Sequence, residues 1–282
     1  MNGLPGADAD GDGDGDGYQG LPSGFDTSAA HPARVYDYWL GGKDNFEADR
    51  KAAEEVIAAR PTIIRDIRAN RAFLGRAVRF LAAEAGIRQF LDIGTGIPAA
   101  NNTHQVAQSI APESRIVYVD NDPIVLAHAR ALRASTPEGA CAYLDADLRD
   151  MGEILQDAAS VLDFGQPVAV LFIGVLHLVA DSEDPSGLIA TAMGACPPGS
   201  YLALTQPAKD IDADIVAEGA RRYNQQVTTP QTRRTYEQTL RFFDGLTLVD
   251  PGVVQFHRWR PDPDATDLSE NVSGWCGVAR KA

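Results

Sequence analysis

The sequence has few cysteines and lacks any long apolar run, and both features exclude classes of protein. Its three cysteines, Cys141, Cys196 and Cys276, are far apart, so they form neither a CxxC metal site nor an even-numbered disulfide framework. Cysteine usage of this kind fits a reducing compartment, and we expect a cytoplasmic protein. No stretch of about 18 consecutive apolar residues is present, so the sequence predicts no membrane-spanning helix.

Basic residues are also few relative to acidic ones. The 282 residues include 25 Lys and Arg against 39 Asp and Glu, which gives a formal net charge of -14. This balance argues against a nucleic-acid partner held by a broad basic face, and a small molecule is the expected partner. Part of the acidic excess lies in residues 1–30, where Asp and Gly alternate between Asp8 and Gly17 with almost nothing to bury. We predict a disordered acidic tail there.

Hydrophobic periodicity divides the rest of the chain into a helical segment and an alternating one. Residues 31–86 are predicted to form an N-terminal helical extension, with helices at 47–60 and 61–85. From 87 to 282, apolar strands alternate with helices, which predicts one α/β domain whose mostly parallel sheet has helices on both faces. The predicted strands are 89–93, 115–120, 141–145, 168–173, 200–205, 246–258 and 272–280, and the predicted helices lie near 101–110, 122–134, 151–161, 185–195, 211–225 and 231–243.

The most informative segment is Phe90–Pro98, in which an apolar strand runs directly into Gly94-Thr95-Gly96. Ligands of open α/β sheets bind at the carboxyl ends of the strands, and glycines there let a ligand approach the backbone closely. The next predicted strand ends in Asp120, where a carboxylate can accept hydrogen bonds from a ribose diol. Together these features predict a cofactor that contains adenosine.

Two cofactor classes fit this arrangement. The segment from Gly94 to Ala99 matches the GxGxxG/A pattern of dinucleotide-binding proteins. Asp92, however, would lie near the bound ligand, where a carboxylate repels a pyrophosphate and attracts the ammonium group of S-adenosylmethionine (SAM). Asp147, after the third predicted strand, is placed to face the adenine amino group. We therefore favour SAM and retain an NAD(P)-dependent oxidoreductase as the alternative.

The order of these motifs resembles that of class I SAM-dependent methyltransferases. Asp92–Gly96 forms an Asp-x-Gly-x-Gly motif, the second strand ends in an acid, and Asp147-Leu148 follows the third strand. The chain is also similar to an actinobacterial methyltransferase family formerly described only as a domain of unknown function. The segments that carry this second resemblance are 33–46, 90–98, 102–104 and 119–123.

The resemblance implies a Rossmann-like fold with a seven-stranded, mostly parallel sheet, in which the last strand is antiparallel. It makes residues 87–282 a SAM-binding methyltransferase domain and implies no particular acceptor. It also implies roles for eight residues. They are Asp92 for the SAM amino group, Gly94, Thr95 and Gly96 for the methionine and ribose portions, Asp120 for the ribose hydroxyls, Asn121 beside the adenine, and Asp147 with the Leu148 amide at the adenine edge.

The aromatic residues of the extension suggest a cover over the cofactor, because aromatic rings can shield a sulfonium by cation–π attraction. We predict that the segment folds over the site and excludes water, with Lys43 and Asn45 pointing inward. The alternative is that its aromatic residues are anchors of a core. The candidate residues for the cover are Tyr36, Tyr38, Gly42, Lys43 and Asn45.

Two basic features lie outside the cofactor motifs. His177 follows the fourth strand, whose end faces the acceptor in methyltransferases, so it is a candidate base, with a packed or capping histidine as the equal alternative. Arg221-Arg222 and Arg233-Arg234 form a basic cluster, which we expect to be a solvated face rather than a site for an acidic acceptor. The predicted function is methyl transfer from SAM to a small molecule without a metal. A non-catalytic SAM-binding protein is a further hypothesis, because no clear acid–base pair is present.

Overall fold

The structure is a computed structural model that describes residues 26–131, 135–263, 265 and 268–282. The predicted acidic tail lies outside the described residues, apart from residues 26–30. Within that short stretch, Ala30 is buried and forms a parallel bridge with Val227. The start of the described chain is therefore attached to the body of the protein.

Between residue 26 and the sheet, the structure has three helices, and they are α1 (Pro32–Leu40), α2 (Glu47–Ala59) and α3 (Ile63–Ala83). α1 begins with proline, which is tolerated in a first turn, and it ends at Gly41, whose left-handed φ of 83° terminates the helix. α2 begins where the backbone N–H of Phe46 donates to Asp49 Oδ2 at 2.9 Å. The helices predicted at 47–60 and 61–85 are confirmed within one or two residues.

The sheet contains eight strands, and most are parallel. They are β1 (Gln89–Ile93), β2 (Arg115–Asp120), β3 (Ala140–Asp145), β4 (Ala169–Phe172), β5 (Tyr201–Pro207), β6 (Thr247–Leu248), β7 (Val254–Gln255) and β8 (Gly274–Arg280). The helices along this part of the chain are α4 (Thr103–Ile110), α5 (Pro123–Ala131), α6 (Met151–Ala158), α7 (Pro185–Ala195), α8 (Ala213–Gln226) and α9 (Tyr236–Leu240). The strand order is β3-β2-β1-β4-β5-β8-β6, with β7 also paired to β8, and β8 is antiparallel to β5. The Rossmann-like fold with an antiparallel last strand is thus confirmed.

One predicted strand is divided in the structure, so the sheet has eight strands where the sequence predicted seven. The stretch predicted over 246–258 forms β6 and β7, which pair in succession with β8. Pro251 and Gly252 lie between them. Proline has no N–H for a strand ladder, and Gly252 has a φ of 84°, so extended pairing is interrupted. The two short strands occupy one position beside β8.

Apolar residues cover both faces of the sheet, and their burial stabilises the fold. On one face, Phe73, Ala77 and Leu81 of α3 pack with Phe90 of β1 and Leu171 of β4. On the other face, α6 and α7 pack against β4 and β5. α3 therefore covers the sheet directly, although it lies in the segment predicted as an extension. None of the described helices is long and apolar enough to cross a membrane.

The topology creates a crevice at one edge of the sheet. The chain runs from β1 outward through β2 to β3, and β4 then lies on the opposite side of β1. A crevice opens at the carboxyl ends of the strands where the order reverses in this way, and ligands of α/β proteins bind there. The predicted cofactor residues follow these strand ends.

Candidate active site

A cavity of about 180 Å³ lies at this edge, and strand ends, the glycine turn, α1 and α3 all contribute to its lining. Every residue predicted to bind the cofactor lines it, as do Tyr36 and His177. The lining residues predicted from the sequence are Tyr36, Asp92, Gly94, Thr95, Gly96, Asp120, Asn121, Asp147, Leu148 and His177. The fold thus brings together predicted residues from five separate segments of the chain.

The turn after β1 depends on glycine at two positions. Gly94 and Gly96 have φ values of 69° and 67°, a region that other residues rarely adopt. A Cβ at position 94 would collide with the side chain of Val175, whereas a Cβ at position 96 would meet nothing within 4 Å. The backbone at Gly96 therefore borders open space beside the cavity. Its N–H donates to Asp120 Oδ2 at 2.7 Å, which joins the turn to the end of β2.

Asp92, in β1, is a buried carboxylate at the cavity. Its Oδ2 accepts a hydrogen bond from the Thr103 hydroxyl at 2.6 Å. Burial raises the pKa of the Asp92 carboxyl to about 6, although the Thr103 hydrogen bond and the charge of Arg71 act in the opposite direction. Arg71 itself donates to Asn102 Oδ1 at 2.7 Å. Among the described residues Asp92 has no ion-pair partner, so a bound cation would relieve an uncompensated charge.

Asp120 is the last residue of β2. Each of its carboxylate oxygens accepts one hydrogen bond from a backbone N–H group nearby. Oδ1 accepts from the N–H of Asp122 at 3.0 Å, and Oδ2 accepts from Gly96. Burial raises the pKa of Asp120, and these two backbone hydrogen bonds oppose the rise. Because each carboxylate oxygen has two acceptor positions, the side chain can still accept bonds from a ligand.

Asn121 and Asp147 come together on the neighbouring part of the lining. Asn121 Nδ2 donates to Asp147 Oδ2 at 3.3 Å, and the backbone N–H of Arg149 donates to Asp147 Oδ1 at 2.9 Å. The Arg149 guanidinium also contacts Asp147, at 3.1 Å, and pairs with Glu183 at 2.6 Å. Asp147 is therefore already engaged by a cation, which Asp92 is not.

α1 presents one face to the cavity and another to a helical core. Ala33, Tyr36 and Leu40 recur at helical spacing and line the cavity. Trp39 is buried in the core with α2, and its indole N–H donates to the Ala53 carbonyl at 3.3 Å. The Tyr36 hydroxyl accepts from Asn70 Nδ2 at 2.9 Å, which fixes the ring at the cavity. One face of α1 therefore lines the cavity, and the other packs in the core that the alternative prediction gave.

Four of the predicted cover residues lie outside the cavity lining. Lys43 is exposed, so the expected inward orientation differs from the structure. Asn45 is buried, but its Nδ2 donates to Asp37 Oδ2 at 2.8 Å and thereby holds the loop after α1. Gly42 packs against that same carboxylate. The Tyr38 hydroxyl donates to Glu54 at 3.0 Å on the outer side of the helix.

His177 lies in the turn after β4, at the cavity. Burial lowers its pKa to about 3, and the charges of Arg233 and Arg234 add to this effect. The ring is therefore neutral at physiological pH. Its Nδ1 atom is buried and has no hydrogen-bond partner within the described part of the chain.

Several lining residues were missed from the sequence, and they are His31, Asp37, Asn70, Arg71, Tyr223 and Thr229. Asn70 and Arg71 lie on α3, where a buried amide on an otherwise apolar helix face was the available signal. Tyr223 and Thr229 reach the cavity through the end of α8 and the chain after it. Their position depends on long-range packing, which sequence periodicity does not report.

Comparison with known proteins assigns the family. A family model described as S-adenosyl methyltransferase matches residues 19–282. The chain is similar to the crystal structure of a DUF574 family protein from Streptomyces avermitilis, with 45% identity, a TM-score of 0.88, and coverage of 91% of this chain and 99% of that one. A Thermobifida fusca protein named as a candidate methyltransferase is 41% identical, with a TM-score of 0.85 and coverage of 92% and 98%.

No match is found among curated proteins. Both related structures come from actinobacteria, in agreement with the resemblance seen in the sequence. The family match extends over most of the chain and includes both α1 and the sheet. The chain therefore belongs to the S-adenosyl methyltransferase family and is a SAM-dependent methyltransferase.

Proposed function

We propose that the protein transfers a methyl group from SAM to a small-molecule acceptor bound in the cavity at the carboxyl edge of the sheet. The observation that carries the proposal is the pair of carboxylates at adjacent strands beside the open backbone of Gly96. Asp92 is buried and Asp120 is partly buried, and both line the cavity. A carboxylate without a cation and a carboxylate with free acceptor positions suit a ligand that has an ammonium group and a diol. SAM has both.

We assign successive parts of SAM to the residues at the ends of β1, β2 and β3. We assign the amino group to Asp92, the ribose hydroxyls to Asp120, and the methionine and ribose portions to the backbone at Gly94–Gly96. Asn121, Asp147 and the Leu148 amide are assigned to the adenine. The contact between Asp147 and Arg149 limits how many further bonds Asp147 can accept, so we expect Asp147 to contribute less affinity than Asp92.

SAM, when bound, supplies an electrophilic methyl group on its sulfonium. The residues of the chain then have two tasks, to orient the acceptor and to exclude water. Tyr36 is placed for the second task, because its ring lines the cavity and its hydroxyl is held by Asn70. α1 is proposed to act as the cover through this face.

His177 is proposed to contact the acceptor. An efficient general base has a pKa near the working pH, and a pKa of about 3 makes this imidazole a weak base. An acceptor atom that already has a free electron pair and no proton to lose therefore suits the site better than an alcohol. This supports an orienting role for His177 in place of the predicted base.

A small acceptor is favoured by the enclosure of the site. Besides the strand ends, the cavity is bounded by α1 and α3 and by Tyr223 and Thr229. The net charge of -14 also disfavours a nucleic-acid acceptor.

The first test is isothermal titration of the purified protein with SAM, S-adenosylhomocysteine and NADH in parallel. We expect both sulfur ligands to bind and NADH to give no heat of binding. Binding of NADH alone would overturn the cofactor assignment and direct attention to hydride transfer.

The acceptor class is tested with SAM that carries a labelled methyl group and an actinobacterial cell extract separated by ultrafiltration. We expect label in the small-molecule filtrate with the natural protein and not with an Asp92→Ala variant. Label confined to the protein or nucleic-acid fraction contradicts the small acceptor while leaving the cofactor assignment intact.

A further inference from the structure

α3 presents two neighbouring polar side chains, Asn70 and Arg71, to the cavity at the carboxyl edge of the sheet. The proposed contacts with SAM involve neither residue. They also leave one charged group of SAM, the carboxylate of its methionine portion, without a cationic partner. The cavity lining on α3 is therefore the place to look for that partner.

Arg71 is a partly exposed cation, and among the described residues its guanidinium bonds to neutral oxygen atoms only. Nε and Nη2 donate to the Ala100 carbonyl at 3.3 and 3.0 Å, and Nη2 also donates to Asn102 Oδ1 at 2.7 Å. These bonds fix the guanidinium beside the loop between the glycine turn and α4. Because a guanidinium has five N–H donors, of which Nη1 carries two, Arg71 can still bind an anion through Nη1.

The contacts of Arg71 place it close to Asp92. Asn102, which accepts from Arg71, is followed directly by Thr103, whose hydroxyl donates to Asp92 Oδ2 at 2.6 Å. Arg71 and Asp92 also line the same cavity. Burial raises the pKa of Asp92 to about 6, and the charge of Arg71 acts against this rise. The cavity thus has a cation and an anion near each other that form no ion pair with one another.

Asn70 adds a hydrogen-bond acceptor without a partner. The residue is buried, with 5% of its surface exposed. Its Nδ2 donates to the Tyr36 hydroxyl at 2.9 Å, and that hydroxyl donates to the Ile67 carbonyl at 3.4 Å, which fixes the orientation of the amide. Oδ1 is buried and has no hydrogen-bond partner among the described residues. An unpaired buried acceptor is unfavourable, so a ligand donor is expected there.

We propose that α3 binds the amino-acid end of the cofactor, with the carboxylate held by Arg71 and the ammonium group donating to Asn70 Oδ1 as well as to Asp92. This end of SAM carries one charge of each sign, and the cavity offers the opposite charge for each. A guanidinium also binds phosphates, but Asp92 disfavours a polyanionic ligand. Arg71 thereby makes the site select adenosyl ligands that have a carboxylate. This inference rests on the proposed methyltransferase function and adds two residues to its cofactor site.

The test compares S-adenosylhomocysteine with S-adenosyl-3-thiopropylamine, its decarboxylated analogue. Each is titrated into the full-length protein by calorimetry at pH 8, where Asp92 is ionised. We expect S-adenosylhomocysteine to bind more tightly by about tenfold or more, although the net charge of -14 favours the more positive analogue at long range. In Arg71→Gln, the affinity for S-adenosylhomocysteine should fall by about tenfold, and that for the analogue should stay within about twofold.

Arg68→Gln is the matched control, because Arg68 is exposed on the same helix and its loss should leave both affinities unchanged. Arg71→Lys, which keeps the charge without the planar fork, should retain part of the preference. Equal binding of the two ligands by the natural protein would overturn the role of Arg71, as would a full preference in Arg71→Gln. An equal loss for both ligands would overturn it too, since Arg71 would then act only by holding the loop before α4.

The role of Asn70 is tested with 4-(adenosylthio)butyrate, the analogue that lacks the amino group. Asn70→Leu should weaken S-adenosylhomocysteine binding by about fivefold or more and leave the affinity for this analogue within about twofold. The lost bond to Tyr36 affects both ligands alike, so the difference between the two losses isolates the contact of Oδ1 with the ammonium group. Equal losses would contradict this contact.

One further measurement needs no variant. In the natural protein, the Nε–H resonance of Arg71 should move with the two ligands that have a carboxylate and stay in place with the decarboxylated one, and the absence of that difference would also contradict the proposal. If the natural protein binds S-adenosylhomocysteine while these expectations fail, only the assignment of its amino-acid end is wrong. If S-adenosylhomocysteine does not bind at all, the proposed cofactor site itself fails.

Discussion

The two sides of the cavity leave different polar groups without partners in the described part of the chain. On the cofactor side, Asp92 and Asp120 are carboxylates with no ion pair among the described residues. On the acceptor side, His177 leaves its buried Nδ1 atom without a hydrogen-bond partner among the described residues. A folded protein normally pairs or neutralises buried polar groups, so two such exceptions at one cavity indicate ligands. The two carboxylates suit a cationic cofactor, and the neutral imidazole suits the neighbouring acceptor.

A second contrast separates the two adjacent arginines, and it predicts the largest effect. Arg234 is buried and pairs with Asp181 at 2.9 Å, so the solvated face expected from the sequence is wrong for it. Arg233 has no carboxylate partner in the described parts of the chain. Arg234→Gln should lower the free energy of unfolding by about 3 kcal/mol, because several buried acceptors lose their donor. Arg233→Gln should leave the free energy of unfolding unchanged or raise it, since it removes a buried cation without a counter-charge. Urea unfolding of the two variants and the natural protein measures both values. Equal destabilisation by the two variants would show that Arg233 is structural and would remove the contrast.

The cofactor side is tested by Asp92→Asn, which keeps the shape of the side chain and an oxygen for the Thr103 hydroxyl. Loss of one charge-assisted contact to the ammonium group should weaken S-adenosylhomocysteine binding by about 30-fold, or roughly 2 kcal/mol. Asp157→Asn, on the exposed face of α6, is the control and should bind normally. An Asp92→Asn protein with natural affinity would contradict the assignment of the amino group to Asp92.

These two sides were not equally predictable from the sequence. Asp92 and Asp120 were found because a strand that runs into a glycine turn specifies its own local geometry, so the residues at its end can be placed without the rest of the fold. On the acceptor side, the N–H of Thr232 donates to the His177 carbonyl, and this bond joins distant parts of the chain that no local pattern relates. The predicted inward orientation of Lys43 was wrong for the same reason, because the contact between Asp37 and Asn45 orients the loop after α1.

The division of the predicted strand at 246–258 illustrates the opposite case. Pro251 and Gly252 were visible in the sequence, and proline in a strand pattern is a sign of interruption. The sequence predicted one strand over 246–258 and not the break that divides it. The two residues alone were sufficient to predict the interruption, and they should have been given more weight than the apolar pattern.

The pH dependence of cofactor binding sharpens the comparison further. The folded-state pKa of Asp92 is raised to about 6, so the carboxyl is ionised above that pH and protonated below it. A bound ammonium favours the ionised form, and the affinity for S-adenosylhomocysteine should therefore be constant near pH 8 and fall by about tenfold between pH 7 and pH 5. Calorimetry across this range gives the profile. Asp92→Asn should show a much smaller slope, with Asp120 supplying what remains, and a flat profile in the natural protein would contradict an ionised Asp92 as the ammonium ligand.

The smallest expected effect comes from His177→Gln on the cofactor itself. His177 lines the cavity, yet its neighbours by charge are Arg233 and Arg234 and not the carboxylates of β1 and β2. The variant should therefore bind S-adenosylhomocysteine with an affinity within about twofold of that of the natural protein. A twofold change corresponds to about 0.4 kcal/mol of binding free energy. A loss of cofactor affinity as large as that of Asp92→Asn would mean that His177 contacts the cofactor. The histidine side and the carboxylate side of the cavity would then form one cofactor-binding site.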